Sequence, residues 1–163
     1  MFRISALDPA SDRRGFACGV GPLDTYFREQ VGQDIRRRIA ACFVATDAGG
    51  RIAGFYTLAA AGIVLSDLPR DLSKKLPRYP TVPAVRLGRL AIDTGFQGRG
   101  LGAALLADAL RRSADADIAA FALIVDAKDE SSARFYRHHG FRAFSEKPLV
   151  LFLPLASISG LVG

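Results

Sequence analysis

The stretch Asp93-Thr94-Gly95-Phe96-Gln97-Gly98-Arg99-Gly100-Leu101-Gly102-Ala103, read DTGFQGRGLGA, constrains this chain more than any other. Four of its eight residues from Gly95 to Gly102 are glycine, and it joins an apolar, β-prone segment to a leucine-rich one. A strand, a glycine-rich turn and a helix in that order bring unhindered backbone N–H groups and the positive end of a helix dipole to one point, which suits an anion. Phosphate-bearing ligands of several kinds, and a bare structural turn, compete for this point. A nucleotide P-loop requires Gly-Lys-Ser/Thr where this chain has Gly102-Ala103-Ala104, so the lysine and the magnesium-binding hydroxyl are both missing. A dinucleotide turn fits better, since Gly98-x-Gly100-x-x-Ala103 matches its pattern and Asp126 ends a later apolar run. Its position argues against it. Such a turn follows the first strand of a unit with further βαβ repeats, and here four strands are expected ahead of it.

Hydrophobic periodicity orders the rest of the chain. Phe2–Leu7 reads as a short first strand. A helix then starts at Gly21-Pro22, with Leu23, Phe27, Val31 and Ile35 on one buried face and Arg36-Arg37-Arg38 at its negative end. Residues 39–46 and 52–65 are strands joined by the hairpin turn Asp47-Ala48-Gly49-Gly50-Arg51. Residues 68–80 carry three prolines with Lys74, Lys75 and Arg78, and read as a short helix followed by an exposed loop. Residues 82–93 form a strand in which Gly88 marks a bulge or a close approach to the backbone. Beyond the glycine loop a helix runs to about Ser113, burying Leu101, Leu105 and Ala109 between Leu106 and Leu110, with Asp108, Arg111 and Arg112 outward. Residues 118–126 are a strand buried on both faces. A helix over 130–139 stops at Gly140, and strands over 141–144 and 148–155 close the chain.

A chain of 163 residues, half of them hydrophobic, suits one domain with a full core. Its net charge of +6 lies entirely in residues 1–99, which favours a polyanionic partner or general solubility. Cys18 and Cys42 lack metal-ligand spacing and are expected as reduced, semi-buried thiols of a cytosolic protein. The uncharged run from Ile52 to Ser66 falls short of the ~20 residues that span a bilayer, and the N-terminus lacks a signal-like apolar stretch. No membrane is expected as a partner, and the location expected is cytoplasmic.

Two blocks bring in a family. Gln97-Gly98-Arg99-Gly100-Leu101-Gly102 fits the Q/R-x-x-G-x-G/A signature between its expected strand and helix, and Ala133-x-Phe135-Tyr136-x-x-x-Gly140-Phe141 follows one strand later. In both the chain resembles the GNAT acetyltransferase superfamily, from Phe16 to Leu155. The resemblance implies an α/β (α+β) GNAT fold: a mixed sheet of about six to seven strands, helices on both faces, and a splay beside a bulged strand. It implies acetyl-CoA as cofactor. Its pyrophosphate would lie on the loop Gln97, Gly98, Arg99, Gly100, Leu101, Gly102 and Ala103, and its pantetheine arm would pair with Leu90, Ala91 and Ile92 like an added strand. Many members have Asn where this chain has Glu130, so Asp129 or Ser132 is expected to supply that contact.

Acetyl transfer needs a neutral amine, donors for the oxyanion, and a proton for the thiolate. Backbone N–H groups at Gly88–Leu90 suit the oxyanion. Tyr136, read from its helix alone, is a core aromatic; the resemblance makes it the catalytic acid, since a phenol of pKa about 10 is protonated at neutral pH. His138 and His139, the two histidines of the chain, point about 100° apart and cannot chelate a metal together, so no metal site is expected. Without a strong base, an α-amine of pKa about 7.7–8.0 is an easier substrate than a lysine amine near 10.4. Phe16-x-Cys18-Gly19, Leu23-Asp24-x-Tyr26, Gly54-Phe55-Tyr56-Thr57-Leu58, Arg86-Leu87-Gly88-Arg89-Leu90-Ala91 and Leu151-Phe152-Leu153-Pro154-Leu155 further resemble the GNAT toxins of bacterial toxin–antitoxin pairs. That likeness implies acetylation of the α-amine of aminoacyl-tRNA, which blocks translation, and a small ribbon-helix-helix antitoxin through which operator DNA is bound. Lys74, Lys75, Arg78, Arg86 and Arg89 are then the tRNA-facing set, with Arg36 to Arg38 as weaker candidates. A homodimer is the assembly the family suggests. Other readings stay open: a GNAT enzyme acting on a small amine or protein N-terminus, and a non-catalytic acetyl-CoA-binding or nucleic-acid-binding module.

Overall fold

A computed structural model describes residues 1–158. Seven strands form one mixed sheet, in the order β1-β2-β3-β4-β5-β7-β6. They are β1 (Arg3–Ala6), β2 (Ala41–Thr46), β3 (Ile52–Val64), β4 (Thr81–Ile92), β5 (Ala122–Asp126), β6 (Arg142–Phe144) and β7 (Lys147–Pro154). The β1–β2, β2–β3, β5–β7 and β6–β7 pairs are antiparallel, whereas β4 and β5 run parallel. A parallel pair needs a long crossover, and the helix after the glycine loop provides it. Pairing with β5 covers Ala84–Leu87, so the last residues of β4, Gly88–Ile92, lie beyond it. The helices are α1 (Gly21–Thr25), α2 (Val31–Arg36), α3 (Arg70–Ser73), α4 (Leu101–Asp115) and α5 (Glu130–His138).

The described residues divide into two compact units, 1–59 with 88–109, and 60–87 with 110–158. The first is built on an aromatic stack. Phe27 lies 4.3 Å from Phe55 and 4.7 Å from Phe16, centroid to centroid, with Val31, Cys42 and Val44 around them. The β2–β3 hairpin turns as expected: Gly50 has φ 85°, and Asp47 Oδ1 accepts from the N–H groups of Gly49 and Arg51. The second unit buries Ile63, Val82, Ala84, Ala122, Ile124 and Phe152 together.

Several boundaries differ from expectation. The helix expected unbroken from Pro22 to Ile35 contains a π-turn over Tyr26–Gln30, with the Val31 N–H donating to the Tyr26 carbonyl. Tyr26 and Phe27, at its start, are both buried. The strand expected from Ile118 begins at Ala122, and Ile118 is 87% exposed. Asp108, expected outward, is buried and accepts a 2.5 Å hydrogen bond from the Tyr56 hydroxyl. Charge misled that assignment: a carboxylate goes inside where a buried phenol meets it. Both cysteines are free, and they are buried rather than semi-buried.

Candidate active site

The glycine loop is held from behind by Asp93. This carboxylate, 2% exposed, accepts from the N–H groups of Ala17 (3.1 Å) and Gly95 (2.9 Å) and from Arg51 (3.3 Å). Gln97 turns its side-chain amide inward to the carbonyls of Cys18 (3.1 Å) and Ile92 (3.0 Å), so its side chain braces the loop instead of facing a ligand. Phe96 is buried beneath the guanidinium groups of Arg51 and Arg99, at 4.9 and 5.3 Å from its centroid.

From this base the chain rises through Gly98 (φ 79°) and Gly100 (φ 76°) into α4. At either glycine a Cβ would meet nothing within 4 Å, so the left-handed backbone, not crowding, is what requires glycine there. Open space and an unshielded backbone fit a diphosphate. The Ala104 N–H is the first to bond back, to the Gly100 carbonyl at 3.2 Å, and the N–H groups of Leu101, Gly102 and Ala103 precede it without an intrahelical acceptor. Over 15 residues α4 aligns its peptide dipoles behind those groups. Leu90 and Ile92 are half-buried and Ala91 is buried at the end of β4. Gly88 is a close approach: a Cβ there would lie 3.1 Å from Thr57 Oγ1.

In the second unit Tyr136 is buried on α5 against Phe135 and Phe141, with centroids 5.2 and 5.6 Å away. Burial pushes its phenol up to about 12, and the hydroxyl has no hydrogen-bond partner among the described residues. Asp129 caps α5, accepting from the Ser132 N–H at 2.8 Å, and that bond holds its carboxyl below the usual range. Glu130 pairs with Arg137. Asp129, Glu130 and Ser132 thus all have local partners at the helix start.

The basic residues fall into three situations. Lys74, Lys75 and Arg78 are exposed. Arg86 is ion-paired with Asp126. Arg89 is half-buried, with its guanidinium carbon 3.5 Å from the centroid of Tyr26.

Comparison with known proteins places this geometry. The family model for the acetyltransferase (GNAT) domain matches residues 19–150, running through both units. The chain belongs to the GNAT acetyltransferase family. Among its GNAT relatives, a tRNA-acetylating toxin of Mycobacterium tuberculosis (strain ATCC 25618 / H37Rv) is 35% identical, over 96% of this chain and 94% of the relative. Among solved structures, the toxin AtaT complexed with acetyl-methionyl-tRNAfMet is 30% identical with a TM-score of 0.90, covering 100% of both chains. A tyrosine-to-phenylalanine variant of AtaT, bound to the C-terminus of the antitoxin AtaR and acetyl-CoA, is 27% identical with a TM-score of 0.82, covering 99% of this chain and 98% of that one.

Some parts of this GNAT site were not legible in the sequence. Arg89 stacks on Tyr26, the first residue of the π-turn, and Tyr26 in turn donates to Asp34 Oδ2 at 2.8 Å. Asp93 reads as an ordinary strand end, and nothing local marks it as the carboxylate that ties the loop to Ala17. The one sequence signal available was the pair Tyr26 and Arg89 inside the family-like blocks.

Proposed function

We propose that this GNAT chain acts as a single domain that transfers acetyl from acetyl-CoA to the α-amine of aminoacyl-tRNA, a cytoplasmic toxin that blocks translation. The observation that carries the substrate is the full-length likeness, at a TM-score of 0.90, to a toxin solved with acetyl-methionyl-tRNA. The relative described as tRNA-acetylating supports the same reading. A small ribbon-helix-helix antitoxin is the partner this reading includes, with operator DNA reached through that complex, supported by solved structures of AtaT with the antitoxin AtaR and of AtaT–AtaR bound to DNA.

Acetyl-CoA, when bound, supplies an acetyl thioester. The residues that hold it are the amides of Gly98 to Ala103 for the diphosphate and the backbone of Leu90, Ala91 and Ile92 for the extended arm. Gln97 contributes by bracing this loop, and Arg99 by its charge beside it. Ser132 is assigned to the cofactor in place of the usual asparagine contact. Tyr136 would be the donor to the departing sulfur. With its pKa near 12, full transfer to a thiolate whose acid has pKa about 8.5 is uphill by about 4–5 kcal/mol. Its contribution is therefore a hydrogen bond that strengthens as charge develops on sulfur. An α-amine of pKa about 7.7–8.0 reaches its neutral form without a dedicated base. Lys74, Lys75, Arg78 and Arg89 serve tRNA; Arg86 does so only when it leaves Asp126.

The test is incubation with acetyl-CoA and a mixture of charged tRNAs, followed by mass analysis of the released aminoacyl groups. N-acetylated amino acid is expected; transfer to free small amines alone contradicts the proposal.

A further inference from the structure

Tyr79 is 64% exposed, in a segment otherwise rich in cations. Its ring has no aromatic or cation partner among the described residues, and its hydroxyl no hydrogen bond. We propose that Tyr79 is a stacking platform for an unpaired RNA base, with Lys74, Lys75 and Arg78 on the neighbouring phosphates. This rests on the reading of aminoacyl-tRNA as the substrate, and it adds a residue and a preference for single-stranded RNA.

The platform is preorganised. Tyr79 precedes Pro80 and closely follows Pro77, so its backbone is biased to an extended form. The Pro80 carbonyl accepts from the Leu65 N–H at 3.0 Å, fixing one end of the loop. Leu72 and Leu76 pack on the core of the second unit at the other end. The short helix α3 is pinned by Arg142, whose guanidinium donates to both oxygens of Asp71 at 3.0 and 3.1 Å. Such anchoring lowers the entropy lost when a ligand docks.

The charge then selects the ligand. Asp71 is the one carboxylate among residues 70–80, and Arg142 engages it. Lys74, Lys75 and Arg78 have no ion pair among the described residues. An exposed aromatic among free cations is how proteins take hold of single strands, since every base has a π-face and every linkage a phosphate. A duplex hides its base faces, and the 3′ end of an acceptor stem exposes them. An acidic peptide is the competing occupant, with less use for a flat aromatic face.

The chain contains no tryptophan, so Tyr79→Trp installs a single indole reporter. Its emission is titrated with a two-strand RNA duplex carrying an unpaired 3′ end, with the same duplex made blunt, and with an acidic peptide. Quenching is expected with the overhang alone. In parallel, Tyr79→Leu should weaken tRNA binding about tenfold while Tyr79→Phe binds like wild type, because stacking needs a ring and not merely apolar bulk. Unchanged emission with the overhanging duplex, equal quenching by the blunt one, or a response to the peptide alone overturns the proposal. Acetylation of aminoacyl-tRNA by the wild-type protein is scored separately, so loss of the stacking site and loss of the substrate assignment are distinguishable.

Discussion

Tyr136 buries its ring while its hydroxyl, which has no hydrogen-bond partner among the described residues, is not sealed from solvent as Ser113 Oγ is. Its ring contacts explain its burial but would serve a phenylalanine equally well, so the hydroxyl is accounted for by chemistry and not by packing. Tyr136→Phe should therefore retain the fold and the affinity for acetyl-CoA while kcat falls on the order of 10²-fold, as single-turnover acetylation would measure. The pH dependence of stability carries the same signature. Below pH 10 the phenol is neutral in folded and unfolded chains alike. Between 10 and about 12 the unfolded chain has lost the proton and the folded one has not, so stability falls as pH rises. Denaturant titrations across that window should show a steeper loss for wild type than for Tyr136→Phe. From sequence, the helical periodicity placed Tyr136 in the core, and the family block supplied its chemistry. Asp108 went the other way: a charged residue on an amphipathic helix is assigned outward, and the pattern along that helix does not reveal the Tyr56 hydroxyl, 52 residues away, that donates to it.

Elements show a similar division between local and long-range information. The glycine loop and α4 were legible because their pattern is contiguous, and the structure places Gly98 and Gly100 at φ 79° and 76° as such a turn requires. The π-turn over Tyr26–Gln30 was not, since the apolar spacing of Leu23, Phe27, Val31 and Ile35 is satisfied by an ordinary helix. The run from Ile118 read as strand because continuity of apolar residues does not reveal where pairing with β4 begins. Two glycines of the first unit separate packing from binding. At Gly54 a Cβ would sit 2.9 Å from Ile92 Cδ1, 3.0 Å from the Ala91 carbonyl and 3.0 Å from Leu105 Cδ1. Gly54→Ala should cost about 1–3 kcal/mol, seen as a lowered midpoint in denaturant. Gly100→Ala meets open space and incurs about 1–2 kcal/mol of backbone strain, with acetyl-CoA affinity falling more than stability because the loop must stay left-handed to aim its amides.

Across the whole molecule the +6 charge is the property that a polyanionic substrate would use. Three exposed cations, Lys74, Lys75 and Arg78, each releasing a counterion from single-stranded RNA, give a log–log salt slope of about −2. Affinity for tRNA should thus fall about tenfold or more from 50 to 200 mM salt, and by less after Lys74→Ala with Lys75→Ala, which filter binding would measure. Among the described residues no helix is long and apolar enough to cross a membrane. The central claim concerns the loop that opens α4, and calorimetry reaches it most directly. Titration of the purified chain with acetyl-CoA should give one-to-one binding heat that Gly100→Ala weakens about tenfold, and NADH should give none. Heat from NADH with silence from acetyl-CoA would contradict the account.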